Sequence, residues 1–425
     1  MIQTCLLNTS FKQLALLKIL KTTLRSYLHQ KFILCALVFF SLFSNWVLAS
    51  NEADDFQEIK ISRDAYRSDL NKFRKSYQGS YHLPKVDFYL FGMGFRGKFI
   101  YKNGVIYRAI TGEVVKKWDV EEEIIAPNHY TVAIKSKDGK YSFIVEDAIG
   151  VYIKEKNTNT YLTKSPVNLP TFKGYKYQSI LRVLHQELLI NIIDGRPVPN
   201  FLVYPKPWYR DSAMMAMAFE KTGNLNLIKQ WILDLRDPYD NNNKGPGEAD
   251  NLGQALYLIS LVSDKSHPLV PIIEKEFKQW EKKSWFSKKM WIEGFSDYKL
   301  HPVYQTKWAK FGLKSLHLPD PYTIPQVEDS YAALFWWDYK NLDIKNQPLS
   351  KRDNYPYLQW ASNHYAQKKE GLLSDRDYPL TWEARASEAD YKGMARVGSE
   401  YVKLKISAPH TWHAAEAFLS LLEAH

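Results

Sequence analysis

Trp208-Tyr209-Arg210-Asp211-Ser212, running into Ala213-Met214-Met215-Ala216-Met217-Ala218-Phe219-Glu220, sets an aromatic pair, a guanidinium and a carboxylate at the mouth of an apolar helix. Pro205 and Pro207 hold the approach extended, and Asp211 or Ser212 is placed to cap the first turn. Such a cluster suits a sugar, whose C–H face packs on aromatic rings while Arg and Asp take its hydroxyls. Taken alone, the same residues serve equally as a helix cap with a surface ion pair and two core aromatics. Met214, Met215 and Met217 read as core packing.

Upstream, residues 1–49 carry Lys12, Lys18, Lys21, Arg25 and Lys31 with no acidic residue, then an apolar run from Phe32 to Ala49. With small residues before Ser50, this predicts a signal peptide and a secreted or periplasmic chain, the alternative being an uncleaved N-terminal membrane anchor. Both cysteines, Cys5 and Cys35, lie in that leader. The mature chain therefore has no thiol for a disulfide, a nucleophile or a metal. Five of the positive charges behind the formal +11 also belong to the leader, and no basic run interleaves with aromatics downstream, so no nucleic-acid partner is expected.

Charged and poor in large apolar residues, 50–84 reads as a mobile or helical lead-in. Over 85–165 the pattern is period-two and β-branched, with hairpin signals at Asn103-Gly104 and Lys137-Asp138-Gly139. Six strands are predicted, near Phe88–Phe91, Lys98–Tyr101, Val105–Tyr107, Tyr130–Ile134, Tyr141–Val145 and Val151–Ile153, forming a small antiparallel sheet or sandwich. After Pro166 and Pro170 the period becomes helical: Ile180, Leu181, Leu184, Leu188 and Ile192 share one face. Similar spacing recurs at Ala255–Leu261, Tyr331–Trp337, Leu358–Tyr365 and Ala414–Leu422. The fold class predicted is multidomain α+β, an antiparallel β domain followed by a mainly α domain over 170–425.

A small β domain before helices that carry Trp-x-Arg-Asp-Ser-Ala resembles the bacterial glucoamylase-like glycoside hydrolases. That resemblance is local and implies an (α/α)6 toroid for the helical part. It implies sugar-binding roles for Arg210 and Asp211, and the segment Gly245–Leu256 is similar to the family's glycine-rich loop and helix start, with Asp250 in the corresponding place and Glu248 beside it. Gln326-Val327-Glu328-Asp329-Ser330 resembles the segment of the family's acid, which implies Glu328. Ala386-Ser387-Glu388-Ala389 resembles the turn of its base, which implies Glu388, with Glu383 a close rival.

Glycosidic hydrolysis needs one carboxyl protonated to assist the leaving oxygen and one ionised. At a separation of about 6.5–9.5 Å water attacks and the anomer inverts, the expected outcome here. Trp208, Tyr209 and Trp412 supply aromatic faces. His410-Thr411-Trp412-His413 before Glu416 has metal-like spacing, yet zinc needs at least three well-placed ligands and this cluster has no distant partner. It reads as a polar lip that donates to a sugar, so no metal and no cofactor is expected. The expected partner is an oligo- or polysaccharide. Two alternatives stay open: a lyase or uronate epimerase using Tyr209, Arg210 and His413, and a glycan-binding envelope protein without catalysis.

Overall fold

The computed structural model describes residues 52–76, 80–156, 158–242, 247–332, 373–385, 388–407 and 411–423. The expected leader, the helical patterns at 333–337 and 358–365, and His410 lie outside them. The chain falls into two units, Met1–Asp55 and Phe56–His425, and of the first only the opening of a helix is described. That helix, α1 (Glu52–Lys75), buries Phe56, Tyr66, Leu70 and Phe73 along one stripe, each worth about 1.5–3 kcal/mol.

Two antiparallel meanders follow. β1 (Tyr89–Phe91), β2 (Phe99–Lys102), β3 (Val105–Arg108) and β4 (Val114–Lys117) form the first. β5 (Val120–Ala126), β6 (Thr131–Ser136), β7 (Tyr141–Glu146), β8 (Gly150–Glu155) and β9 (Thr158–Lys164) form the second. The Asn103-Gly104 turn behaves as its sequence demands, with φ of 48° and 72° between paired Lys102 and Val105. All six predicted strands are present. The sequence pattern misses β4, β5 and β9, because they are charged or polar and largely half-exposed, which leaves little alternation to read.

The two sheets are tied at Glu146, fully buried on β7. Its carboxylate accepts the Gly92 and Met93 N–H groups and pairs with Arg96 at 2.9 Å. Gly92 has φ of 112° and faces the Gly97 carbonyl so closely that a Cβ would stand 2.2 Å from it, so only glycine fits this turn.

Helices then take over: α2 (Gln178–Leu189), α3 (Tyr209–Thr222), α4 (Lys229–Leu233), α5 (Ala249–Ser260), α6 (Val270–Trp280), α7 (Pro302–Ser315), α8 (Ser399–Lys403) and α9 (Thr411–Leu422). Short hairpins interrupt them: β10 (Ile192–Ile193) with β11 (Arg196–Pro197), β12 (Glu281–Lys283) with β13 (Met290–Ile292), and β14 (Phe295–Ser296) with β15 (Lys299–Leu300). The C-terminal helix α9 returns to pack on α2 and α3, α3 packs on α5, and α5 on α7.

Sheets and helices share one apolar cluster that runs from Tyr66 through Tyr89 and Leu184 to Phe418. Gln186 of α2 donates to the Leu90 carbonyl of β1 at 2.9 Å, and Lys102 of β2 donates to the Val397 carbonyl at 2.6 Å.

Candidate functional site

The start of α3 departs from the sequence expectation. Its N-cap is Trp208, extended and without a side-chain cap bond, and both Asp211 and Ser212 lie inside the first turn. The exposed Tyr209 N–H is met from elsewhere: Asp240, on the connection before α5, accepts it at 2.8 Å. Burial pushes Asp240 up to about 6. Tyr209 gives its own hydroxyl to the Asp237 carbonyl at 2.7 Å, so it anchors the same connection. This corrects its expected role as a sugar contact or base.

Asp211 is fully buried. One oxygen accepts the Thr411 hydroxyl at 3.2 Å and the Trp412 N–H at 3.4 Å, the first turn of α9. The carboxylate expected to bind sugar thus caps another helix, where the macrodipole favours a negative charge. Burial nonetheless pushes its pKa to about 7.

Arg210, with a side chain 1% exposed, is the centre of the cluster. Its guanidinium lies 3.2 Å from Asp297, 3.5 Å from Glu248 and 3.7 Å from Asp250. Trp412 covers it at 4.5 Å and Trp208 at 5.4 Å, both over the ring face. Burial works against the guanidinium charge, but Asp297 and Glu248 outweigh it and hold the pKa well above the usual arginine value. Nε and Nη1 are buried donors with no hydrogen-bond acceptor among the described residues. An unmet buried donor costs about 1–3 kcal/mol, which an acceptor oxygen entering the site would recover.

Three carboxylates on one guanidinium leave two net negative charges if all are ionised. The proton stays on Glu248, which burial above all, with Asp250 and Asp297 adding to it, pushes up to about 8. Asp250 is held by Ser296 and by Gln254 at 2.7 Å, so its lone pairs are committed. Glu248 accepts the Asp297 N–H at 2.6 Å. Of the three, Asp297 is the most open, with a side chain 32% exposed against 9% for Glu248 and none for Asp250.

Asp297 and Tyr298 form the tip of the β14–β15 hairpin with φ of 48° and 65°, a two-residue turn that aims the Asp297 side chain back at Arg210. Tyr331 donates to Asp297 at 2.8 Å and stacks on His301 at 3.8 Å. His301 pairs with Asp329 at 2.8 Å, and Asp329 also accepts the Val303 and Tyr304 N–H groups, capping α7. Four helix starts, those of α3, α5, α7 and α9, therefore meet around Arg210.

The expected acid–base pair is not part of this assembly. Glu328 is solvent-exposed, and it is its neighbour Asp329 that turns inward. Glu388 is 90% exposed and paired with Lys405. Both are corrected from catalytic candidates to surface carboxylates, because both stand in solvent away from the Arg210 cluster. Glu383 is buried in a backbone bridge with Ser407, and His413 is buried with its ring 6.1 Å from Tyr81. Successive residues of α9 thus divide, Trp412 toward Arg210 and His413 toward Tyr81.

Trp208, Arg210, Glu248, Asp250 and Trp412 are brought together as expected from sequence. Asp297, Tyr331, His301 and Asp329 were missed. The only local signal for Asp297 was an Asp in a two-residue turn, and Asp329 sat one position from the residue chosen. Comparison with protein-family models, with curated proteins and with solved structures finds no match.

Proposed function

We propose that this chain is an exported hydrolase of glycosidic bonds, acting on an oligo- or polysaccharide with Glu248 as the acid and Asp297 as the base. The observation that carries the proposal is the convergence of Glu248, Asp250 and Asp297 on a buried Arg210 between Trp208 and Trp412. Hydrolysis requires two carboxyls of different acidity. Here Glu248 keeps its proton at neutral pH, while Asp297, more open and beside Arg210, takes the part of the base. Arg210 does not reach solvent; it acts through the acids whose charge it sets. The return of α9 onto α2 and α3, with α5 and α7 following, supports a toroid-like course for the helical part.

Replacing Glu248 by Gln or Asp297 by Asn is expected to lower turnover on the cleaved sugar by about 10²–10⁴-fold with the melting temperature nearly kept. A panel of neutral and uronic oligosaccharides, followed by reducing ends, makes the measurement. Unchanged turnover in both variants removes the pair from the mechanism.

Elimination from a uronate polymer is the second reading, favoured by one observation: the Tyr331 hydroxyl rests on Asp297 and its ring on His301. There Tyr331 would take the sugar proton while its own hydroxyl proton passes to Asp297. Ultraviolet absorbance from an unsaturated product, lost in Tyr331→Phe, distinguishes it.

A further inference from the structure

Away from the acid cluster, the β12–β13 hairpin carries Lys282-Lys283-Ser284-Trp285-Phe286-Ser287-Lys288-Lys289. Trp285 is 97% exposed and Phe286 is 101% exposed, as open as side chains in an extended chain. All four lysines are exposed, and none forms an ion pair among the described residues. The tip is nevertheless ordered by its own bonds. Ser284 Oγ accepts the Phe286 and Ser287 N–H groups at 3.3 and 3.2 Å, and the Ser284 N–H donates to the Lys289 carbonyl at 3.0 Å.

We infer that this hairpin is a docking surface for a bilayer rich in anionic phospholipid. Two large aromatics held outward at the end of a hairpin lose apolar hydration only if something apolar receives them. Trp favours the headgroup boundary, and Phe, with no polar handle, gains most by reaching the hydrocarbon beneath it. Two lysines on each side place four charges at headgroup depth, where an anionic surface attracts each of them. Glu281 and Glu293 lie outside the tip, so nothing acidic opposes the approach from within it. No helix among the described residues is long and apolar enough to cross a membrane. The same hairpin is followed two residues later by β14, whose turn carries Asp297, so docking would fix one wall of the acid cluster relative to the bilayer.

The test uses the full chain with vesicles of phosphatidylcholine alone or with about one-third phosphatidylglycerol, enough to give an anionic surface. Trypsin cleavage at Lys282, Lys283, Lys288 and Lys289, mapped by mass spectrometry, is the readout, because it is local to the hairpin whatever the apolar run at Phe32–Ala49 does. Anionic vesicles are expected to slow cleavage there about tenfold, neutral vesicles to slow it far less, and added salt to weaken the protection. In the double variant Trp285→Ser, Phe286→Ser the cleavable lysines remain and the protection is expected to vanish. Equal cleavage with and without anionic vesicles overturns the proposal. So does protection by a soluble acidic polysaccharide that matches or exceeds that by vesicles, which would assign the hairpin to a glycan.

Discussion

Arg210 and Glu248 are buried side by side, and the charge on one sets the protonation of the other. At 3.2 Å from Asp297, an ion pair at an effective dielectric of about 20 is worth roughly 5 kcal/mol before desolvation, so the guanidinium stays charged. It cannot also neutralise three carboxylates, and the proton remains where burial is deep and Asp250 and Asp297 stand close, at Glu248. A stability consequence follows. A carboxyl whose folded pKa is raised binds its proton more tightly folded than unfolded, so unfolding free energy falls as pH rises from its ordinary value of 4.5 to about 8. Asp211, raised from 3.8 to about 7, acts in the same direction. Urea titrations at pH 5 and 8 are expected to show a loss on the order of 2 kcal/mol, with Glu248→Gln less pH-dependent than the parent because an amide has no proton to lose. A Glu248→Gln variant with the same pH dependence as the parent would contradict the buried, protonated state of Glu248.

Among the elements, the α5–α7 crossing sets the position of the cluster. Gly253 and Gly312 let the two helices touch backbone to backbone: a Cβ on Gly253 would stand 2.1 Å from the Trp308 carbonyl, and one on Gly312 2.3 Å from the Gly253 carbonyl. Helix propensity alone makes Gly253→Ala stabilising by roughly 1 kcal/mol. The clash is with backbone that cannot swing aside, so the contact wins and the change is expected to destabilise by about 3 kcal/mol, read as a shift in the urea midpoint. Asp250 and Gln254, which flank Gly253 on α5, move with it, so turnover is expected to fall as well. A Gly253→Ala variant as stable as the parent would show that the helices do not approach this closely. The short hairpins between the helices escaped sequence prediction for a different reason. Two- and three-residue strands are too short to repeat their period of two, and β12 and β15 carry lysine.

In the whole molecule, the sheets and the helices are not separate cores. The segment 373–407, late in the chain, packs back on its beginning: Tyr66 donates to the Asp377 carbonyl at 2.8 Å, Tyr81 bridges Ser374, and Phe88 sits among Tyr378, Trp382 and Tyr401. Contacts between segments about 300 residues apart tie the helical lead-in, the sheet and the late segment into one cooperative unit. Thermal unfolding followed by far-ultraviolet dichroism and by tryptophan fluorescence is therefore expected to give coincident transitions. Two separated transitions, one for β structure and one for helix, would show that the shared cluster does not couple them.

From the sequence alone came the order of β before α, the Asn103-Gly104 hairpin, the helices at α2, α5 and α9, and the aromatic-Arg segment at the head of α3. These are properties of neighbours within a few residues, where periodicity, turn chemistry and proline spacing act directly. Tertiary structure alone decided which acids converge on Arg210. Burial separates Asp329 from adjacent Glu328, the β14–β15 turn delivers Asp297 across 87 residues of chain to Arg210, and Glu388 is left in water with Lys405. Acidity and ion pairing depend on desolvation and distance through space, and a local pattern of residue types carries neither.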